Sequence, residues 1–136
     1  MIDIAVIGYG YWGPNMVRNF ATAEGARVRV VCDLRPERLA LAESRYPGVR
    51  TTTDAAELWN DPEIDAVVVA SPVSAHFDAA LQALEGGKHV LVEKPMTRTV
   101  AEAEQLLAAA ERNDRILMVD HTFVYTGAVR KIRELI

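Results

Sequence analysis

The groups best placed to do chemistry fall at the ends of apolar runs. Lys94 follows His89-Val90-Leu91-Val92-Glu93 and precedes Pro95. A lysine at a strand end, held partly out of water, can exchange a proton with a carbinol or carbonyl. Position alone leaves a solvated loop lysine as the alternative. His76 sits early in a helical stretch, where it can orient a loop as readily as touch a ligand. His121 lies beyond another apolar run, within reach of a substrate, and there a satisfied buried histidine is the competing reading. Residues 4–15, Ile-Ala-Val-Ile-Gly-Tyr-Gly-Tyr-Trp-Gly-Pro-Asn, carry a different kind of chemistry. Gly8 permits a tight turn out of a strand, Gly10 leaves room for a close backbone approach, and Gly13 lets a helix pack closely on a sheet. The N–H groups and positive dipole end of that helix then face an anion, as in a Gly-x-Gly-x-x-Gly pyrophosphate turn.

Such a glycine triplet is weak evidence unless a strand precedes it and a helix follows. Both conditions hold. A β-rich run covers Ile2–Ile7, and an amphipathic helix is predicted from about Pro14 to Ala23. A second strand, Val28–Cys32, ends in Asp33, 20 positions after Gly13, where a carboxylate can accept from both hydroxyls of an adenosine ribose. An acid there repels a 2′-phosphate and favours NAD over NADP. Arg35 complicates that choice, since a nearby arginine can pair with the phosphate. Trp12 is read as a hydrophobic anchor in preference to a lid over the pyrophosphate.

Strand and helix patterns alternate along the whole chain. Further strands are predicted at Val49–Thr52, Ala66–Ala70, His89–Glu93 and Ile116–Val119, mostly Val- and Ile-rich runs suited to burial on both faces. Pro36 suits a helical first turn, Asp54 caps a short helix ending before Pro62, and Ser74 is expected to cap Ala75–Glu85, which Gly86-Gly87 terminates. Thr99 caps Val100–Arg112, with Glu102 completing a capping box. Repeated βα units imply parallel strands with right-handed crossovers. The expectation is an α/β doubly wound parallel sheet of about six strands in three layers, a Rossmann arrangement with order 3-2-1-4-5-6. In such a sheet, ligands bind outside the carboxyl ends of the strands near the switch in strand order. The sequence sends there the glycine turn with Tyr11 and Trp12, then Asp33-Leu34-Arg35, Ser71-Pro72 with His76, Glu93-Lys94-Pro95, and Asp120-His121-Thr122.

The bulk numbers narrow the classes. At 136 residues the chain has the length of one domain. It is 50% hydrophobic and 25% charged with a net charge of −4, which suits a globular α/β core and offers no basic excess for nucleic acid or an anionic membrane. No apolar run reaches the roughly 20 residues that cross a bilayer. The N-terminus enters a strand at once, without the charged and apolar regions of a signal peptide. The single cysteine, Cys32, is read as a buried thiol. The expected compartment is the cytoplasm. We assign no metal site.

Taken together, three motifs in order resemble the glucose–fructose oxidoreductase, inositol dehydrogenase and rhizopine catabolism (Gfo/Idh/MocA) family. They are Gly8-Tyr9-Gly10-Tyr11-Trp12-Gly13; Ser71-Pro72-Val73-Ser74-Ala75-His76 with Ala83-Leu84 and Gly87-Lys88-His89-Val90; and Val92-Glu93-Lys94-Pro95. Ser71 stands where the family commonly has threonine and keeps the hydroxyl. The resemblance implies that Lys94 lies beside the nicotinamide and assists proton transfer or substrate binding, and that Lys94-Pro95 is a cis peptide. It implies hydride transfer between NAD and a secondary alcohol, with Gly8, Gly10, Tyr11, Trp12, Gly13, Asp33, Leu34, Arg35, Ser71, Pro72, His76, Glu93, Lys94 and Pro95 around the cofactor. His121 is the candidate toward substrate. The run from His121 to Arg130 looks like the branch acting on sugars and nucleotide sugars.

The resemblance covers only the family's N-terminal half. Residues 1–124 are expected to form the dinucleotide-binding domain. Residues 125–136 are expected to begin the connection to a C-terminal α+β substrate domain, which supplies a second acid/base group and the contacts of a homo-oligomer. Ala128–Ile136 has helical spacing and stops on an apolar residue, which reads as a chain cut before that domain and inactive alone. The alternative function is a non-catalytic NAD(P)-sensing regulator of the same fold. Intact Lys94 and the lack of a basic patch favour the enzyme.

Overall fold

The computed structural model describes residues 1–136. Six parallel strands form one sheet: β1 (Ile2–Ile7), β2 (Ala26–Cys32), β3 (Arg50–Thr52), β4 (Ala66–Val69), β5 (His89–Glu93) and β6 (Leu117–Asp120). Their order is β3-β2-β1-β4-β5-β6, the doubly wound Rossmann order expected above. Six helices connect or follow them: α1 (Gly13–Thr22), α2 (Pro36–Arg45), α3 (Ala56–Trp59), α4 (His76–Glu85), α5 (Val100–Arg112) and α6 (Gly127–Leu135). None is long and apolar enough to cross a membrane.

The two-residue period of a strand explains the three layers. Ile4 and Val6 of β1 face one side with Met16 and Val17 of α1 and Leu39 and Ala42 of α2. Ala5 and Ile7 face the other, with Leu58 of α3, Ala80, Ala83 and Leu84 of α4, and Leu106 and Ala109 of α5. The register between β1 and β2 shifts between Ile4 and Ala5. From Ala5 on, the pairing runs without a break to Ile7 beside Cys32 and Val69, so β1, β2 and β4 end level. That common end is where the site lies.

Most element ends fall within one or two residues of expectation. Thr99 and Glu102 form the reciprocal capping box. The cap of α3 is Ala55 in place of the expected Asp54, which lies one residue earlier and accepts the Ala56 N–H through Oδ1 at 2.9 Å. The expectation for Ser74 fails. A single 3₁₀ turn over Val73–Ala75 precedes α4, which begins at His76 with Ala75 at its cap and no side-chain hydrogen bond there. Pro72 supplies the start of that 3₁₀ turn, so the chain is already winding when Ser74 is reached and Ser74 lies inside the turn instead of at the helix cap. Trp12, expected as an anchor, is 43% exposed; the aromatic anchor is Tyr9, fully buried with α1 and α2. On α6, Val129, Ile132 and Leu135 are not buried, so this helix leaves its apolar stripe uncovered.

Lys88, in the turn between α4 and β5, is buried, and its ammonium donates to the carbonyls of Asp61 (2.6 Å) and Ile64 (2.9 Å). It ties the entry of β4 to the entry of β5. Lys88→Met keeps the stem and leaves two carbonyls without donors. We expect it to lower stability by about 3 kcal/mol, read as a lower midpoint in urea unfolding at unchanged slope.

Candidate functional site

Two backbone contacts shape the crest of the sheet. Gly8 has φ +93°, and a side chain there would place its Cβ 2.6 Å from the Ala70 carbonyl oxygen. A Cβ on Gly13 would lie 1.9 Å from the Gly8 carbonyl oxygen. The turn out of β1, the start of α1 and the end of β4 are therefore packed backbone to backbone. Gly10 faces only the Arg35 guanidinium, 3.5 Å from its ideal Cβ, which leaves its outer side open.

Asp33 closes this turn from the neighbouring strand. Its Oδ2 accepts the Tyr9 N–H at 2.7 Å, and its Oδ1 accepts the Arg35 N–H at 3.0 Å. The Arg35 side chain adds a two-pronged ion pair, Nε to Oδ1 at 3.0 Å and Nη2 to Oδ2 at 3.1 Å. Burial opposes a charge on Asp33, but the Arg35 guanidinium and the two N–H groups outweigh it and hold the carboxyl below the usual aspartate range. Spacing alone did not reveal this role in holding the turn.

A cleft of about 550 Å³ opens beside these groups. Gly8, Asp33, Leu34, Arg35, Ser71 and Pro72 all line it, and so the structure gathers these candidates at one place. Its far wall is Thr53, Trp59, Asp78 and Gln82, which the sequence did not single out. The Ser71 hydroxyl oxygen is buried without a hydrogen-bond partner. An orphaned hydroxyl beside an open cleft, backbone without side chains at Gly8 and Gly10, and a buried carboxylate at the end of β2 all fit a bound dinucleotide.

The remaining candidates lie outside the cleft. Tyr11 and Trp12 are exposed and meet edge to face at 5.4 Å. His121 follows β6 and is exposed. His76 is buried and touches the cleft through neither ring nitrogen, for both face backbone carbonyls. Lys94-Pro95 is cis, as the resemblance implied. Lys94 itself is exposed, so the partial burial expected for it is not supplied by these 136 residues: β5 ends at Glu93, and the turn carries the amine past the edge of the packed sheet. Glu93 is buried, and its carboxyl accepts the Lys94 N–H at 3.2 Å. Asp120 pairs with it in register across β5 and β6, a neighbour the sequence reading listed but did not connect. Burial and then the charge of Asp120 push the Glu93 carboxyl above the ordinary glutamate range.

The family model described as "Oxidoreductase family, NAD-binding Rossmann fold" matches residues 2–121. The chain belongs to the Gfo/Idh/MocA oxidoreductase family. Among its relatives, inositol 2-dehydrogenase 2 of Paenarthrobacter aurescens (strain TC1) is 42% identical over 109 residues, 79% of this chain and 32% of that protein. GenD2 from gentamicin A biosynthesis, solved in complex with NAD, superposes with a TM-score of 0.92 at 31% identity, covering 98% of this chain and 38% of that one. Biliverdin reductase from Synechocystis sp. PCC 6803, solved with biliverdin and NADP+, gives 0.91 at 28% identity, covering 98% and 42%. The chain spans about a third of the length of the curated relatives it matches. It is an NAD(P)-binding Rossmann domain of the Gfo/Idh/MocA family.

Two carboxyls in this domain lead to opposite expectations with pH. The folded Asp33 carboxyl sits below its unfolded value of about 3.9. Its contribution to stability is therefore complete above that pH and is lost as pH falls through the folded value. We expect Asp33→Asn to cost about 2 kcal/mol at pH 7 and to converge with the parent at strongly acid pH, as measured by urea unfolding. The folded Glu93 carboxyl sits above its unfolded value, so the parent loses stability as pH rises from the unfolded value through the folded one. We expect Glu93→Gln to melt higher than the parent at pH 7, with the gap closing below about pH 4.

Proposed function

We propose that this chain is the cofactor-binding part of an NAD-dependent oxidoreductase acting on a secondary alcohol of a sugar or nucleotide sugar. The observation that carries the reading is the cleft of about 550 Å³ at the carboxyl ends of β1, β2 and β4, where the glycine turn, Asp33 and Ser71 converge. It lies where strand order reverses, the place at which open α/β sheets take ligands. The inositol dehydrogenase relative supports a ring-borne secondary alcohol as the substrate class. Residues 1–124 would hold the dinucleotide, and residues 125–136 would lead toward a substrate domain.

Each part of the chain has a separate task in this reading. The N–H groups at the start of α1 would face the pyrophosphate through the opening at Gly10. Asp33 would accept from the adenosine ribose hydroxyls. Its oxygens are already occupied by Arg35, so the half-exposed guanidinium would have to swing aside first. That exchange bears on cofactor choice. Once released, Arg35 can either lie free or pair with a 2′-phosphate, whereas a 2′-phosphate beside Asp33 meets a buried negative charge. We therefore read NAD as preferred over NADP. A bound nicotinamide supplies hydride exchange with a carbinol carbon. Lys94 would hold or move the proton at the carbinol oxygen. Glu93, through the Lys94 N–H, would fix the turn that carries the amine.

Titration of the chain with NADH and with NADPH, followed by reduced-nicotinamide fluorescence, tests the reading. NADH is expected to bind more tightly. Asp33→Ala should weaken NADH by roughly tenfold or more while circular dichroism stays unchanged, and Arg35→Ala should weaken NADPH more than NADH. Absence of binding by the folded parent would overturn the proposal. Equal NADH affinity in Asp33→Ala would remove Asp33 from it. In the longer protein, Lys94→Ala should lower kcat for a sugar alcohol substrate far more than it changes NADH affinity. A longer protein that binds NADH yet oxidises no such alcohol would point to a sensor instead.

A further inference from the structure

His76 is 2% exposed and has no task in the cofactor reading above. Both of its ring nitrogens face backbone carbonyl oxygens: Nδ1 lies 2.9 Å from Pro95 O, and Nε2 lies 2.8 Å from Ser71 O. A carbonyl oxygen only accepts. A neutral imidazole carries one N–H, so one of the two contacts would set a ring lone pair against a carbonyl lone pair at hydrogen-bond distance. The imidazolium form carries an N–H on each nitrogen and satisfies both. The two carbonyls belong to the turns that follow β4 and β5. One turn carries Ser71, and the other carries Lys94.

We propose that His76 is a positioning residue, a doubly protonated strut that donates to the Ser71 and Pro95 carbonyls at once and fixes the Lys94-Pro95 turn against the end of β4. Its consequence for the cofactor rests on the function proposed above; the protonated ring itself does not. The chain uses the same device at Lys88, where one buried cation donates to two carbonyls from the loop between α3 and β4. His89 shows the contrasting arrangement. Its Nδ1 accepts the Ile116 N–H at 3.0 Å and must be bare. The charged groups on the elements around His76 are Asp78 in the first turn of α4, Glu93 and Lys94 before Pro95, and Asp120 across the β5–β6 pair. The start of α4 is the positive end of a helix dipole and opposes a cation there. Asp78, in the same turn, opposes that dipole, and the two carbonyl oxygens aimed at the ring favour the charged form.

Nitrogen-15 labelling of the three histidines in the chain, read by ring nitrogen–proton correlation at pH 7.5, tests the strut directly. His76 is expected to show two protonated nitrogens, and His89 one protonated and one bare; His76→Gln assigns the signals. A bare nitrogen on His76 overturns the proposal. A second arm uses His76→Phe, which fills the space without donors. It should stay folded by circular dichroism and bind NADH roughly tenfold or more weakly. Unchanged affinity overturns the positioning role. If the parent binds no NADH, the function reading fails while the ring signals still decide the strut. If His76→Phe does not fold, the same signals decide it.

Discussion

The crest of this sheet depends on one steric constraint, the contact of the Gly8 carbonyl with the backbone of Gly13. With 1.9 Å between a would-be Cβ at Gly13 and that oxygen, no side chain fits. The polypeptide must leave β1, reverse, and start α1 inside a single van der Waals shell. The reversal brings the start of α1 to the ends of the strands. Pro14 has no N–H, and the Asn15 and Met16 N–H groups bond the Trp12 carbonyl, so the Trp12 and Gly13 N–H groups are the ones left to face an anion. Tyr9 fills the space behind the turn, and the Asp33 carboxylate pins the Tyr9 N–H from β2. The anion-facing edge is therefore a product of backbone packing. Side chains enter it only as braces.

The two halves of the crest treat the same functional group in opposite ways. At the end of β2, a guanidinium and two N–H groups surround Asp33 and keep it charged. At the end of β5, Glu93 is buried beside a second carboxyl, with one N–H donor within reach, and its charge is disfavoured. The first environment suits a permanent acceptor for hydroxyl groups. The second suits a group that keeps a proton more readily than glutamate usually does, next to the turn bearing an amine. Pairs of titratable groups pushed apart by their surroundings mark sites where protons are handled. Under the proposed function, Asp33 and Glu93 would stand toward opposite ends of the dinucleotide.

The parts of this arrangement that were legible in the sequence are those set by local periodicity or fixed spacing. Alternating βα units and runs of Val and Ile lead to a parallel sheet, and the handedness of the crossovers then limits strand order. The interval from Gly13 to Asp33 is one α–β unit, so the acid has to arrive beside the turn. Thr99 and Glu102 form their cap from four neighbouring residues. The misses share another origin. No period operates inside the glycine turn, so nothing in Tyr9, Tyr11 and Trp12 says which ring points inward. Asp120 meets Glu93 only through the register of β5 and β6. Trp59, Asp78 and Gln82 reach the cleft from two helices whose relative placement is decided by core packing. Ser74 looked like a cap because a helix began nearby, but Pro72 had already started a 3₁₀ turn.

Burial at the two ends of the crest differs in the same sense as the charges. The adenosine end, under the proposed function, is walled by this chain: Asp33, Ser71 and α4 border an open cleft with Ile7 and Cys32 in its lining. The opposite end is open, with Lys94, Tyr11 and His121 all exposed. An amine in bulk water is strongly hydrated and has no reason to hold one direction. What orients it is the turn, and the turn is held at two points, the Glu93 carboxyl on the Lys94 N–H and the His76 ring on the Pro95 carbonyl; the ring's other nitrogen meets the Ser71 carbonyl after β4. Orientation at this end thus comes from braces beneath the surface. Under the proposed function, exclusion of water, which strengthens electrostatics at a reacting centre, would come from a surface laid over this end.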